Sequence, residues 1–117
     1  MKIAQNLSKL KVFMVGIGGI SMSGLAKILH SMGTEVSGSD HQISYVTENL
    51  QSIGIPVFSK HSSKNITKDI DLVVFSGAIK QTNPEIIKAK KLGILIVSVT
   101  FYCSSYYAKK ISGNTYG

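Results

Sequence analysis

The chain has 117 residues, of which 44% are hydrophobic, so it is long enough to bury one core and too apolar for a disordered tail. Its formal net charge is +7, and every basic residue is a lysine. Because nucleic-acid readers rely on arginine for bidentate contacts and these lysines are spread along the chain, we expect no nucleic-acid partner.

The lone cysteine, Cys103, excludes an intramolecular disulfide and a cysteine-based metal site, and it suits a reducing compartment. No stretch of the sequence approaches the roughly 20 consecutive apolar residues of a membrane-spanning helix. We therefore expect a cytoplasmic chain that has no membrane partner.

The most informative segment is an apolar strand that runs into a glycine cluster and then into a helix. Residues 11–15 have the pattern of a buried parallel strand, and the apolar spacing after them predicts a helix over 20–32, ended by Gly33. Between the two, the dinucleotide fingerprint G-x-G-x-x-G is present as Gly16-Ile17-Gly18-Gly19-Ile20-Ser21, with Ser21 in place of the third glycine.

Such a loop is suited to an anion. Glycines let a ligand approach the backbone, and the start of the helix offers unpaired N–H groups with a partial positive charge. We therefore expect a phosphate or diphosphate at this loop, although a glycine-rich turn without a ligand has the same sequence pattern.

Further strands and helices alternate up to residue 99. Strands are predicted over 35–39, 57–59, 72–75 and 95–99. Helices are predicted over 45–53, with Ser44 as the cap, and up to residue 92 from Asn83-Pro84-Glu85, in which the glutamate complements the helix dipole. This order predicts an α/β fold, a Rossmann-like open parallel sheet with helices on both faces.

Ligands bind such sheets outside the carboxyl ends of the strands. Asp40 follows the second predicted strand, near the spacing of an acid that accepts from ribose hydroxyls, and an ordinary loop carboxylate would look the same. The position of Ser76 suits a phosphate contact and equally a serine in a strand-end turn. The position of His61 suits a ligand contact and equally an exposed loop histidine. His30 and His41 form no pattern. The sequence shows no nucleophile–base pair, carboxylate pair or metal cluster, which favours a binding domain.

Four segments resemble one family. The run from Gly16 to Ala26 resembles the opening of the Mur ligases of peptidoglycan synthesis, in particular those that join L-alanine to UDP-N-acetylmuramate. Residues 36–40, 76–79 and 83–86 are similar to later segments of these enzymes, in the same order. The glycine loop of the related murein-peptide ligases has a different sequence.

The resemblance implies that residues 1–99 are a Rossmann-like domain that binds the UDP part of a UDP-sugar, here UDP-N-acetylmuramate. The implied substrate-binding residues fall into four groups. They are the glycine loop with Gly16, Gly18, Gly19, Ile20 and Ser21, Ser39 and Asp40 at the uridine, His61 in a loop, and Ser76, Ala78 and Ile79 closing over the ligand. Within the glycine loop, Gly18, Gly19 and Ile20 would bring backbone to the diphosphate. Lys60 stands where the family usually has a glycine.

The resemblance also implies a longer parent enzyme. Residues 100–117 would be a linker toward an ATP-binding central domain, and Ile111-Ser112-Gly113 with Gly117 resembles the first half of its phosphate loop. The parent would use ATP and Mg²⁺ to activate the muramate carboxylate as an acyl phosphate, which L-alanine attacks. We expect this chain alone to bind no cofactor, to be inactive, and to be a monomer or a weak homodimer.

Two other functions are compatible with the glycine loop. One is an NAD(P)-binding domain of a dehydrogenase or of a redox-sensing regulator, in which Asp40 would serve equally well. The other is an interaction module that keeps the fold without a ligand, against which the intact glycines argue. The Ser76 turn and the partial phosphate loop favour the ligase.

Overall fold

The computed structural model describes residues 10–99, so the predictions for Cys103 and for the linker over 100–117 lie outside the described residues. Five strands form one sheet in the order β3-β2-β1-β4-β5, and all neighbouring strands are parallel. The elements in chain order are β1 (Lys11–Val15), α1 (Ile20–Ser31), β2 (Glu35–Ser39), α2 (Tyr45–Ser52), β3 (Val57–Phe58), a 3₁₀ turn (Ser63–Asn65), β4 (Leu72–Phe75), α3 (Pro84–Lys91) and β5 (Leu95–Ser98).

The helices lie on both faces of the sheet, as the sequence predicts. Successive side chains of a strand point to opposite faces. Val12 and Met14 therefore belong to a core with α1 and α2, whereas Phe13 and Val15 belong to a second core with α3. The predicted Rossmann-like open parallel sheet is confirmed.

The strand order creates a crevice at the carboxyl end of the sheet. After β1 the chain moves outward through β2 to β3, and it then returns to β4 on the other side of β1. The loops that follow β1 and β4 therefore leave the sheet in opposite directions, and ligands of open α/β sheets bind at such a switch point.

Helices α1, α2 and α3 begin in different ways. Ser44 caps α2 in a capping box with Thr47, and Asn83 caps α3, which has Pro84 in its first turn. In contrast, the N-cap residue of α1 is Gly19, which provides no side-chain cap, and no acidic residue lies in the first turn of α1. The backbone N–H groups of this first turn are thus left without a side-chain acceptor.

Ion pairs stabilise the opposite, amino end of the sheet. Lys11 Nζ lies 2.8 Å from Asp69 Oδ2 and 3.5 Å from Glu35 Oε2. The hydrogen bond to Asp69 raises the pKa of Lys11, and together with a hydrogen bond from Thr67 it lowers the pKa of Asp69. These charged side chains lie at the start of β1, at the end of the sheet opposite the crevice.

No helix between residues 10 and 99 combines the length and the apolar composition needed to cross a bilayer.

Candidate functional site

An open cleft lies at the switch point, between the loops that follow β1, β2 and β4. It brings together most of the predicted site residues, namely Gly16, Gly18, Gly19, Asp40, His61, Ser76, Ala78 and Ile79, and it adds His41, Gln42 and Ser44. Its volume of about 230 Å³ is below the ~300–1,000 Å³ of pockets that enclose a small ligand. The cleft is thus smaller than the pockets that enclose a ligand.

Backbone hydrogen bonds fix the glycine loop to the end of β2. The N–H groups of Gly16 and Ile17 donate to the carbonyl oxygen of Ser39 at 2.8 and 3.0 Å. Gly16 has a φ of +82°, a left-handed conformation that favours glycine. A Cβ at this position would also lie 3.0 Å from Ser76 Oγ, so the loops after β1 and β4 touch at Gly16.

The Asp40 carboxylate lies across the mouth of the glycine loop. Its Oδ2 accepts a hydrogen bond from Gly18 N at 2.9 Å, and its Oδ1 accepts one from Gln42 N at 2.9 Å. Each carboxylate oxygen can accept a further hydrogen bond. Asp40 therefore holds the loop and can still receive the hydroxyl groups of a ligand.

A buried hydrogen-bond network lies beneath His61. Glu85 is fully buried, and its carboxylate lies next to Ser39 Oγ, His61 Nδ1, Ser62 N and Asn65 Nδ2. A buried charge is tolerated when hydrogen bonds satisfy it, and all of these groups are donors or can become donors. The network connects β2, the 3₁₀ turn and α3.

Three predicted residues do not place their side chains in the cleft. Ser39 is fully buried in the network below it. Ile20 is 91% exposed and borders a different surface depression between α1 and α2, and Ser21 is exposed on the first turn of α1. Ile20 and Ser21 form the start of α1. The roles of all the predicted site residues as ligand contacts stay predictions.

Sequence reasoning missed two features of this region. His41, which showed no pattern in the sequence, lines the cleft with its ring centroid 5.8 Å from that of His61. The sequence feature that could have identified His41 as a cleft residue is its position directly after Asp40, at the end of β2. Glu85 was assigned to the helix dipole, and its burial depends on partners that no local pattern reveals.

Among residues 10–99, no cluster of three or more histidine, cysteine, aspartate or glutamate side chains could hold a metal ion. Within this part of the chain the cleft instead combines an open helix start with one carboxylate and two imidazoles.

Comparison with known proteins identifies the family of this chain. The model of the Mur ligase family, catalytic domain, matches residues 11–110. The chain belongs to the Mur ligase family. A UDP-N-acetylmuramate–L-alanine ligase of Acetivibrio thermocellus is 55% identical to it over 83 residues, which are 71% of this chain and 18% of the relative. The same-named ligase of Carboxydothermus hydrogenoformans is 50% identical over 88 residues, 75% of this chain and 19% of the relative.

Solved structures of the family share the fold. The UDP-N-acetylmuramate–alanine ligase of Thermotoga maritima has a TM-score of 0.81 and 36% identity, covering 86% of this chain and 23% of that one. A UDP-N-acetylmuramate:L-alanyl-γ-D-glutamyl-meso-diaminopimelate ligase from Neisseria meningitides has a TM-score of 0.74 and 26% identity, covering 82% and 30%. The first of these Mur ligases is more similar in both measures.

The chain spans about a fifth of the length of the curated relatives that it matches.

Proposed function

We propose that this Mur ligase domain binds the UDP part of UDP-N-acetylmuramate in the cleft at the switch point. The observation that carries the proposal is the open start of α1 beside the Asp40 carboxylate. A helix N-terminus attracts a diphosphate, and a carboxylate at the end of the second strand accepts hydrogen bonds from ribose hydroxyls. The pairing of these two groups suits a nucleoside diphosphate.

The hydrogen bonds within the glycine loop refine how the diphosphate would be held. Gly18 N already donates to Asp40, and Gly19 N donates to Gly16 O at 3.2 Å. The N–H groups of Ile20 and Ser21, in the uncapped first turn of α1, are then the better donors to phosphate oxygens. The glycines would mainly keep side chains out of the way.

The parent enzyme in this proposal is an ATP-dependent ligase that adds L-alanine to UDP-N-acetylmuramate in cytoplasmic peptidoglycan biosynthesis. Residues 1–99 would be its N-terminal substrate-binding domain and residues 100–117 its link toward an ATP-binding domain. The names of the relatives support this assignment, and so do the similarities to their structures. In this proposal ATP and Mg²⁺ would bind to that ATP-binding domain.

A titration distinguishes this function from dinucleotide binding. Because the uncapped start of α1 beside Asp40 suits a nucleoside diphosphate and the relatives are named for UDP-N-acetylmuramate, we expect UDP-N-acetylmuramate and UDP to bind at least about tenfold more tightly than NAD. Isothermal calorimetry of the 117-residue chain with each ligand measures this ratio. Clear NAD binding with no response to UDP-N-acetylmuramate would reject the ligase proposal and favour the dehydrogenase or redox-regulator alternative.

We also expect the 117-residue chain to have no ATPase or ligase activity by itself. Phosphoryl transfer from ATP uses a glycine loop that places a lysine at the phosphates, and no glycine in this sequence is followed by lysine. Phosphate release is measured with ATP, Mg²⁺, UDP-N-acetylmuramate and L-alanine. Turnover above the background of a heat-denatured sample would show that the chemistry lies in this chain.

A further inference from the structure

The network under His61 determines which ring nitrogen carries the proton. Ser39 Oγ lies 2.6 Å from Glu85 Oε1, and the hydroxyl has a single proton to donate to it. Towards His61 Nδ1, at 2.8 Å, Ser39 Oγ can then only accept. The second neighbour of Nδ1 is Glu85 Oε1 at 3.2 Å, which is also an acceptor. Both neighbours of Nδ1 thus require a proton on that nitrogen.

The other ring nitrogen has the opposite property. When Nδ1 holds the proton of a neutral imidazole, Nε2 is an acceptor. Nε2 lies on the edge of the ring away from Ser39 and Glu85, and the partly exposed His61 lines the cleft. We propose that Glu85 is a positioning residue that keeps His61 in the Nδ1–H form, so that Nε2 accepts an N–H or O–H group of the ligand.

This inference rests on the proposed function only for the identity of the ligand. A bare Nε2 is complementary to the imide N–H of a pyrimidine base or to a ribose hydroxyl. Phosphate oxygens are acceptors, so a neutral His61 in this form gives them no hydrogen bond. His61 would therefore recognise the nucleoside, while the start of α1 holds the diphosphate.

The Nδ1–H form of His61 requires that both terminal side-chain atoms of residue 85 accept hydrogen bonds. Ser62 N and Asn65 Nδ2 donate to Oε2 at 3.2 and 2.7 Å, and a backbone N–H cannot reverse its role. In Glu85→Gln the amide oxygen should stay with these two donors, which places the NH₂ group against Ser39 and His61. The NH₂ group then faces Nδ1 as well as Ser39 Oγ, and two donors facing each other favour a move of the imidazole proton from Nδ1 to Nε2, which lets Nδ1 accept.

The prediction is a change of tautomer without loss of the fold. Nitrogen-15 NMR of the imidazoles at about pH 8, where histidine is mostly neutral, reports the protonated nitrogen directly. We expect Nδ1–H at His61 in the wild-type chain and Nε2–H in Glu85→Gln. Ser39→Ala is the matched control, since Glu85 Oε1 remains and should keep Nδ1–H. The exposed His41 in the same spectrum is an internal reference.

The outcomes separate this inference from the proposed function. Nε2–H at His61 in the wild type, two protonated nitrogens at that pH, or retention of Nδ1–H in Glu85→Gln would each overturn it. If Glu85→Gln does not fold, the wild-type and Ser39→Ala spectra still decide. In a UDP titration we expect Glu85→Gln to bind about tenfold more weakly, as for one lost hydrogen bond. Failure of the wild type to bind UDP rejects the proposed ligand and leaves the tautomer result standing.

Discussion

Gly38→Ala should destabilise the chain by about 3 kcal/mol, a large part of the stability of a small domain. A Cβ on Gly38 would overlap the carbonyl oxygen of Met14 in the neighbouring strand and would lie 2.7 Å from Ile17 Cβ. The backbone of β1 cannot move aside, because it is paired with both β2 and β4. Urea unfolding followed by circular dichroism measures the loss as a lower transition midpoint.

Gly24→Ala is the matched control for this experiment. Gly24 lies on the exposed face of α1, and a Cβ there would meet no side chain or more distant backbone within 4 Å. Since alanine is the better helix former, we expect Gly24→Ala to stabilise the chain by about 0.5–1 kcal/mol. Equal midpoints for Gly38→Ala and the wild type would contradict the close approach of β1 and β2.

This close approach also has a consequence for the cleft. Ile17 packs where the missing Cβ of Gly38 would be, and the N–H groups of Gly16 and Ile17 reach Ser39 O directly beyond it. The absence of a side chain at position 38 thus allows the glycine loop to lie over the end of β2. Gly38 supports the site without lining it.

The strands and helices were predictable because their signals are local. Strands β1, β2 and β4 begin and end at the predicted residues, and the caps Ser44 and Asn83 are confirmed. The predicted helix over 20–32 ends one residue earlier, at Ser31. A cap acts on N–H groups two or three residues away, so a short stretch of sequence contains all the information that it needs.

The interior of the site was less predictable because it depends on long-range contacts. Glu85 has the sequence position of a residue that faces a helix dipole, and its neighbours in the sequence give no sign of burial. Its partners Ser39 and Asn65 are 46 and 20 residues away. The position of the Ser39 side chain beneath the cleft was equally hard to predict, because only the packing of α3 brings its partner Glu85 next to it.

Gly18→Val should weaken UDP binding by at least about 100-fold while the chain remains folded. A Cβ at Gly18 would lie 2.7 Å from Asp40 Oδ2 and 3.0 Å from Thr47 Cγ2. The carboxylate is the end of a side chain and can move away, so the fold should survive. Its movement breaks the hydrogen bond to Gly18 N and displaces the proposed acceptor for the ribose hydroxyls.

Calorimetric titration with UDP, together with circular dichroism, tests this expectation. Gly24→Val introduces the same side chain on the open face of α1 and should bind UDP like the wild type. Asp40→Ala removes the proposed ribose acceptor without adding bulk, and we expect a smaller loss, about tenfold, because the start of α1 remains able to hold the diphosphate. A folded Gly18→Val chain with wild-type affinity would mean that the glycine loop only turns the chain from β1 into α1.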